Sequence, residues 1–198
     1  MTQTFKQLWN EHFPNKAPLP YVFKFYFSKS WFRIHSLPEA KRYTDAKEEE
    51  LLLLDRQNRI IIDCLGLHTP VYLVTGNPFT PNYFPHEHDR RKIISYNLAE
   101  APSINLHTID PTYFDDGDEN HSCFMPLYTQ IIWEPHQHDD LLLKIANDEI
   151  KAFLISFEKK IMVAPYDGGI DFIIWDESLK QQLKEKYKAW LSSRADGL

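Results

Sequence analysis

Cysteine is scarce and an excess of basic charge is absent in this chain of 198 residues. The two cysteines, Cys64 and Cys123, are too few for a disulfide framework or for a zinc site of four thiolates. Lysine and arginine number 22 against 28 aspartates and glutamates, which gives a formal net charge of -6. Because nucleic-acid binding needs basic side chains that neutralise phosphates, this balance argues against a nucleic-acid-binding protein.

Long apolar segments and common catalytic motifs are also missing. No run of apolar residues is longer than four, so the sequence contains no candidate membrane span. The first residues, MTQTFKQLWNEHF, have neither the basic region nor the apolar region of a secretion signal, and we expect a cytoplasmic protein. Signatures of phosphate-binding loops, serine hydrolases, metalloproteases and dinucleotide-binding folds do not occur, and we expect no cofactor.

Apolar residues at helical spacing predict three helices. The spacing occurs in residues 3–13, in residues 45–65, where Gly66 follows as a terminator, and in residues 176–191. The apolar side of the last helix includes Trp190. We expect Trp190 to pack against the sheet, where Ile173 or Trp175 would be its neighbour.

Strand patterns occupy much of the remaining chain. Alternating aromatics predict a strand within residues 21–32. Residues 152–157, 161–166 and 170–175 are β-rich runs joined by turns short enough for hairpins, which predicts a three-stranded C-terminal meander. The whole pattern predicts a single α+β domain over residues 1–198, a largely antiparallel sheet with packed helices.

The turn YDGGID at residues 166–171 is the sharpest local motif. Two glycines in a hairpin loop allow positive φ angles, and the expected hairpin pairs Asp167 with Ile170. This register places Tyr166 and Asp171 on the same face of the sheet. An acid on an apolar face needs a partner, so Asp171 either accepts a hydrogen bond from Tyr166 or from a helix in a structural role, or is a candidate binding residue.

Residues 165–191, PYDGGIDFIIWDESLKQQLKEKYKAWL, contain a Tyr-Asp turn, a Gly and an Asp before a helix that ends in Lys-Tyr and Trp. This pattern resembles the C-terminal signature of DUF3885, a bacterial family of domains of unknown function. Residues 31–59, an arginine-bearing strand followed by a helix, are similar to that family in layout. The resemblance implies a bacterial source and no particular activity.

Three basic side chains are candidates for an anion pocket. A second strand is predicted over residues 31–37 before Pro38, and Arg33 and His35 share a face of it because they alternate with Phe32 and Ile34. Arg56 lies in the following helix. Such a pocket would make the protein a sensor of a small anionic molecule. In the alternative interpretation each arginine pairs with a carboxylate or lies along an aromatic surface.

The motif Pro-His-x-His-Asp occurs twice, at residues 85–89 and 135–139. In an extended backbone, His-x-His places both imidazoles on one face, which suits a metal ligand pair. This spacing supports an alternative function, a metal-dependent hydrolase. Its candidate ligands are His86, His88, His136 and His138, with Asp89 or Asp139 as the general base. Because both copies lie in polar segments, we expect the histidines to be solvated and to bind no metal.

Two irregular segments, residues 76–91 and 99–122, are longer than ordinary connections. Both contain aromatic side chains among polar ones, as do the anchors of protein interfaces. The candidate contact residues are Tyr83, Phe84, Tyr113 and Phe114, together with the acidic residues Asp115, Asp116, Asp118 and Glu119. We therefore predict a non-catalytic binding protein of the immunity or regulatory type, with a basic protein as its partner.

Overall fold

The structure is a computed structural model that describes residues 4–81, 93, 95–115 and 122–194. It confirms the α+β class, with helices packed on an antiparallel sheet. The described helices are α1 (Phe5–His12), α2 (Phe23–Tyr26), α3 (Lys47–Leu65), α4 (Leu106–Ile109), α5 (Asp139–Ala146) and α6 (Glu177–Lys186). Short 3₁₀ turns cover Pro20–Val22, Pro38–Ala40 and Lys188–Trp190.

The strands of the described residues form two antiparallel sheets. They are β1 (Trp31–His35), β2 (Thr69–Thr75), β3 (Pro78–Phe79), β4 (Ala99–Glu100), β5 (Ile104–Asn105), β6 (Cys123–Phe124), β7 (Leu127–Trp133), β8 (Ala152–Ser156), β9 (Ile161–Tyr166) and β10 (Gly169–Ile174). The main sheet has seven strands in the order β1-β10-β9-β8-β2-β7-β4, and the small sheet has the order β3-β6-β5. Because β8, β9 and β10 are neighbours, the predicted meander is confirmed.

The two faces of the main sheet belong to separate hydrophobic cores. On the helical face, α3, α5 and α6 cover aliphatic side chains such as Ile34, Leu154 and Val163. On the aromatic face, α1 and α2 contribute Trp9 and Phe23 to a core rich in aromatic rings. Since both faces are covered, the strands consist of continuous apolar runs rather than alternating apolar and polar residues.

The hairpin between β9 and β10 differs from the predicted register. Asp171 pairs with Ala164 rather than with Tyr166, and the turn residues are Asp167 and Gly168, neither of which has a positive φ. Glycine is required instead at Gly169, where a Cβ would collide with a backbone carbonyl oxygen of β1. The observed register differs from the predicted one by an even number of residues. Because side chains alternate along a strand, Tyr166 and Asp171 still lie on the predicted face.

The strand predicted within residues 21–32 is wrong in its first part. There the chain forms a 3₁₀ turn and α2, whereas the second strand, predicted over residues 31–37, is confirmed as β1. Tyr21 and Phe25 are exposed one helical turn apart, whereas Val22 and Phe23 are buried. The alternating aromatics fit a strand, but the same residues also have the i, i+4 spacing of a helix face.

The C-terminal helix is shorter than predicted and its tryptophan lies elsewhere. α6 ends at Lys186, and a 3₁₀ turn follows. Trp190 packs on the helical face, with its ring centroid 4.5 Å from that of Tyr187. Ile173 and Trp175 belong to the core of the aromatic face. The predicted contact is wrong because the sheet lies between these side chains.

The central helix agrees with its prediction apart from its first two residues, since α3 covers Lys47–Leu65. Gly66 follows it with a φ of 82°, a backbone conformation that residues with a Cβ rarely adopt. None of the helices described here has the length and the apolar composition that a membrane crossing requires.

Candidate functional site

An arginine and an aspartate form a buried ion pair on the aromatic face of the main sheet. The antiparallel register of β1 and β10 places Arg33 directly opposite Asp171. Arg33 donates two hydrogen bonds to the carboxylate, from Nε to Oδ1 at 2.6 Å and from Nη2 to Oδ2 at 2.8 Å. The two side chains are only 15% and 8% exposed. Two parallel charge-assisted hydrogen bonds hold both groups in one orientation.

Aromatic rings lie next to the Arg33 guanidinium. Its central carbon is 4.5 Å from the centroid of the Tyr166 ring and 5.5 Å from that of Trp31. Burial raises the pKa of Tyr166 to about 12, although the charge of Arg33 acts in the opposite direction. Burial disfavours the charge of Arg33, but the hydrogen bond and the charge of Asp171 raise its pKa overall. At neutral pH the phenol is therefore neutral and the guanidinium is charged.

A second ion pair lies at the turn between β9 and β10. Arg42 contacts the carboxylate of Asp167, and the Tyr43 hydroxyl donates a hydrogen bond to Asp167 Oδ2 at 2.9 Å. Asp167 raises the pKa of Arg42, chiefly through its charge, and the pKa of Tyr43, chiefly through the hydrogen bond. The sequence does not reveal these partners, because they lie in an irregular segment 125 and 124 residues away.

A cavity of about 210 Å³ opens beside these ion pairs, and we call it the ion-pair cavity. Its lining includes Tyr21, Lys24, Arg33, Lys151, Tyr166 and Asp171. Asp171 occupies Nε and one hydrogen of Nη2, so N–H groups of the Arg33 guanidinium remain for another acceptor. Lys151 is paired with Asp148, whereas Lys24 forms no ion pair with a described residue. The cavity can therefore accept a polar or anionic group.

Four aromatic side chains, Tyr21, Phe25, Tyr113 and Phe114, form a patch next to this cavity, and we call it the aromatic patch. Tyr21, Phe25 and Tyr113 are 47%, 57% and 41% exposed. The ring centroids of Phe25 and Tyr113 are 5.5 Å apart, and those of Tyr113 and Phe114 are 5.0 Å apart. Tyr21 lines both the ion-pair cavity and a cleft of about 260 Å³ that Tyr113 and Phe114 also line. Through Tyr21, the cavity and the patch form one continuous surface.

Only part of the predicted contact surface can be located. Tyr113 is exposed, and Phe114 is half-buried against the aromatic core. The residues that lie outside the described ones are Tyr83, Phe84, Asp116, Asp118 and Glu119. Sequence reasoning missed Tyr21 and Phe25 as contact residues because it placed them in a strand. The signal that could have found them is their i, i+4 spacing directly after Pro20, a residue favoured at the start of a helix.

The three predicted anion-binding residues do not form one pocket. Arg33 lines the ion-pair cavity, whereas His35 and Arg56 line a separate cavity of about 420 Å³. α3 packs on the helical face, so the sheet separates Arg56 from Arg33. Burial lowers the pKa of His35, and its imidazole is therefore neutral at pH 7.

The family model of Domain of unknown function (DUF3885) matches residues 19–195. The chain belongs to this family. The match confirms the resemblance carried by the C-terminal signature, and it extends over the main sheet and both cavities. No curated protein and no solved structure matches the chain.

One of the two histidine segments of this DUF3885 chain can be located, and it is a turn rather than an extended strand. His136 has a φ of 63°, and α5 begins at Asp139. His138 is buried, with Nε2 3.0 Å from the carbonyl oxygen of Ile132 and Nδ1 2.9 Å from the Tyr96 hydroxyl. Both ring nitrogens are thus engaged within the protein, and neither presents a free lone pair to a metal. The expectation that both histidines are solvated is wrong for His138.

The other histidine of this segment is exposed and helps to attach α5 to α3. His136 Nδ1 lies 3.1 Å from Asp139 Oδ2, and Asn58 of α3 donates a hydrogen bond to Asp139 Oδ1 at 2.7 Å. His86, His88 and Asp89 lie outside the described residues. Within the described ranges, no group of three or more His, Cys, Asp and Glu side chains is arranged to hold a metal ion.

Proposed function

We propose that this DUF3885 chain is a non-catalytic binding protein that holds a protein partner through the aromatic patch and the adjoining ion-pair cavity. The observation that carries the proposal is the joint exposure of Tyr21, Phe25 and Tyr113 on one surface. Tyrosine and other aromatic side chains are enriched among the anchors of protein interfaces. A protein that acts by contact alone would serve as an immunity or regulatory protein.

Buried side chains and backbone hydrogen bonds hold the aromatic patch in place. Val22 and Phe23 are buried beneath the exposed side of the 3₁₀ turn and α2. The Tyr113 N–H donates to the backbone oxygen of Asp110 at 3.2 Å and to its Oδ1 at 3.1 Å. Burial of a phenylalanine side chain such as Phe23 stabilises the folded state by about 1.5–3 kcal/mol. Because rigid aromatic side chains lose little entropy on binding, three of them can supply much of the affinity of an interface.

The charges beside the patch support binding more than catalysis. Asp171 and Asp167 are each held by an arginine, which keeps both carboxylates engaged. Burial raises the pKa of Tyr166 to about 12, far above the range in which a general base operates at neutral pH. We assign the free N–H groups of Arg33 and the ammonium of Lys24 to polar contacts that orient the partner.

We infer a basic partner from the net charge of -6. Opposite net charges accelerate association, because long-range attraction steers the encounter of two proteins. Asp115 lines the same cleft as Tyr113 and Phe114, which adds a carboxylate to this surface. This inference predicts that association slows as salt concentration rises.

The proposal is tested with two matched triple variants of the full chain. The patch variant carries Tyr21→Ala, Phe25→Ala and Tyr113→Ala. The control variant carries Leu51→Ala, Leu67→Ala and Ile132→Ala, which truncate side chains that are 58%, 56% and 47% exposed elsewhere. Both variants should melt at nearly the temperature of the parent, because surface truncations change stability little.

The binding partner is captured by cross-linking in native cells, identified by mass spectrometry and purified for calorimetry. We expect the patch variant to bind about 100-fold more weakly, as truncated anchors do, and the control variant to bind like the parent. Equal binding by the patch variant would contradict the proposal. A parent protein that cross-links to no partner would contradict it as well.

A further inference from the structure

A separate cavity with basic and hydroxyl groups lies on the other side of the main sheet from the aromatic patch. It has a volume of about 420 Å³ and lies between the end of β1, the turn Pro38–Ala40, α3 and residues 189–194. We call it the C-terminal cavity. A bridge between Ile34 of β1 and Leu191 attaches the C-terminal segment to the edge of the sheet. This bridge therefore holds the C-terminal wall of the cavity in place.

Arg56 is a cation of this cavity that forms no ion pair with a described residue. Its side chain is half-buried on α3, and the guanidinium lies 4.9 Å from the ring centroid of Trp190. Arg33, Arg42 and Arg59 each pair with an aspartate, but Arg56 forms no ion pair within the described part of the chain. Burial disfavours the charge of Arg56 and lowers its pKa, although the charge of Asp55 acts in the opposite direction. A bound anion would offset this penalty.

Other polar groups line the same cavity. His35 contributes an imidazole, Arg194 contributes a second guanidinium, and Ser192 and Ser193 contribute hydroxyl groups. Glu39 contributes the one carboxylate among the described residues of the lining, and apolar side chains such as Leu37 cover the remainder. These groups suit a ligand that has an anionic head and an apolar body.

Backbone strain at the rim of the cavity agrees with a binding role. Glu39 and Ala40 have φ angles of 57° and 55°, and both line the cavity. The left-handed region is unfavourable for residues with a Cβ, so two such residues in succession persist only where the surrounding structure imposes them. Strain of this kind is concentrated at binding sites and ligand clamps.

We propose that the C-terminal cavity binds a small organic molecule that carries a phosphate group. The planar guanidinium of Arg56 can donate two parallel hydrogen bonds to phosphate oxygens, and Ser193 can supply a hydroxyl donor. The cavity is within the range of about 300–1,000 Å³ that is usual for small-ligand sites. The indole of Trp190 offers an apolar surface for the organic part of the ligand. This role is independent of the partner-binding surface.

The probe is phenyl phosphate, which joins a phosphate group to an aromatic ring. Binding is measured by calorimetry and by the NMR resonance of the Trp190 indole N–H. We expect one site, a shift of the indole resonance, weaker binding of inorganic phosphate and no binding of phenol. Absence of phenyl phosphate binding, or binding that leaves the indole resonance unchanged, would overturn the proposal. Equal affinity for inorganic phosphate would overturn the assignment of an organic part.

The role of Arg56 is tested with two arginines of the same helix. Arg56→Gln removes the unpaired cation, and Arg59→Gln removes an equal charge from the exposed pair of Arg59 with Asp55. We expect Arg56→Gln to weaken phenyl phosphate binding about tenfold or more, as loss of a charge-assisted hydrogen bond does, and Arg59→Gln to leave it unchanged. Equal effects of the two changes would overturn the assignment.

Arg56→Gln could lose phenyl phosphate binding because it unfolds. If its melting temperature is strongly lowered, a third variant replaces it in the test. Arg56→Lys keeps the positive charge but loses the paired N–H donors. We expect it to bind phenyl phosphate more weakly than the parent while melting at the same temperature. Affinity equal to that of the parent would show that the guanidinium does not hold the phosphate.

Discussion

Buried charge makes Arg33 and Asp171 sensitive to single substitutions. In a buried ion pair, mutual attraction roughly offsets the free energy of removing both charges from water. Either charge without its partner retains the desolvation penalty and loses the compensation. With side chains 15% and 8% exposed, the pair is well inside this regime, whereas Arg59 and Asp55, at 57% and 52%, are on the surface.

At the residue scale we predict that Asp171→Asn destabilises the protein by about 3–5 kcal/mol, because it leaves the Arg33 charge buried without a counter-charge. The matched control is Asp55→Asn, which removes an exposed partner of Arg59 and should cost about 0–1 kcal/mol. Urea denaturation followed by tryptophan fluorescence measures both free energies of unfolding. Similar losses in the two variants would show that the burial of the pair has no energetic consequence.

At the scale of elements, the attachment of β1 depends on a close approach to β10. β1 is one of the two edge strands of the main sheet, and Ile34 of β1 pairs with Ile170 of β10. A Cβ at Gly169 would collide with the carbonyl oxygen of Ile34 and meet the Cα of His35 at 3.2 Å. Because these are backbone atoms, no side-chain rotation can relieve the contact. The position of β1 in turn places Arg33 beside Asp171 in the ion-pair cavity.

We therefore predict that Gly169→Ala destabilises the protein by about 1–3 kcal/mol or more, since β1 must move away from β10. Gly168→Ala is the control, because its Cβ would lie 2.9 Å from Cε2 of the Tyr166 ring, which can move as a side chain. We expect a smaller loss for this control. Thermal unfolding ranks the two variants, and hydrogen exchange in β1 should increase only in Gly169→Ala. The reverse ranking would contradict the packing described here.

At the scale of the whole molecule, the main sheet separates the two proposed binding surfaces. The ion-pair cavity and the aromatic patch lie on its aromatic face, and the C-terminal cavity is formed against α3 on the other side. A metal centre built from both histidine segments would have to bring residues 85–89 and 135–139 together. Residues 135–139 instead use their side chains to join α5 to α3 and to the end of β7.

We accordingly predict that His138→Ala destabilises the protein by about 1–3 kcal/mol, because it leaves the Tyr96 hydroxyl and the Ile132 carbonyl without their partner. His136→Ala, in the same motif, should change stability by no more than about 0.5 kcal/mol, because its side chain is 62% exposed. Thermal unfolding with and without a chelator measures both. Stoichiometric zinc in untagged protein, lost in both variants together with stability, would instead support the metal-dependent hydrolase.

Local patterns were sufficient where one element is built from neighbouring residues. The apolar spacing of residues 45–65 predicted α3 because a helix buries one side of itself wherever it packs. The meander was predictable because short turns leave antiparallel neighbours as the only ready pairing. The same reasoning failed for Tyr21 and Phe25, whose spacing fits both a strand and a helix until the packing of Phe23 decides between them.

The sequence by itself determined the α+β class, the C-terminal meander and the face on which Tyr166 and Asp171 lie, because alternation along a strand is a local property. Only the tertiary structure decided that Asp171 pairs with Arg33, 138 residues away. It also decided that Arg56 lines a different cavity from these two residues. The physical reason is that β1 is placed by packing against β10 rather than by any turn of its own. Periodicity specifies which side of an element is buried, but long-range packing selects the partner that each charge meets.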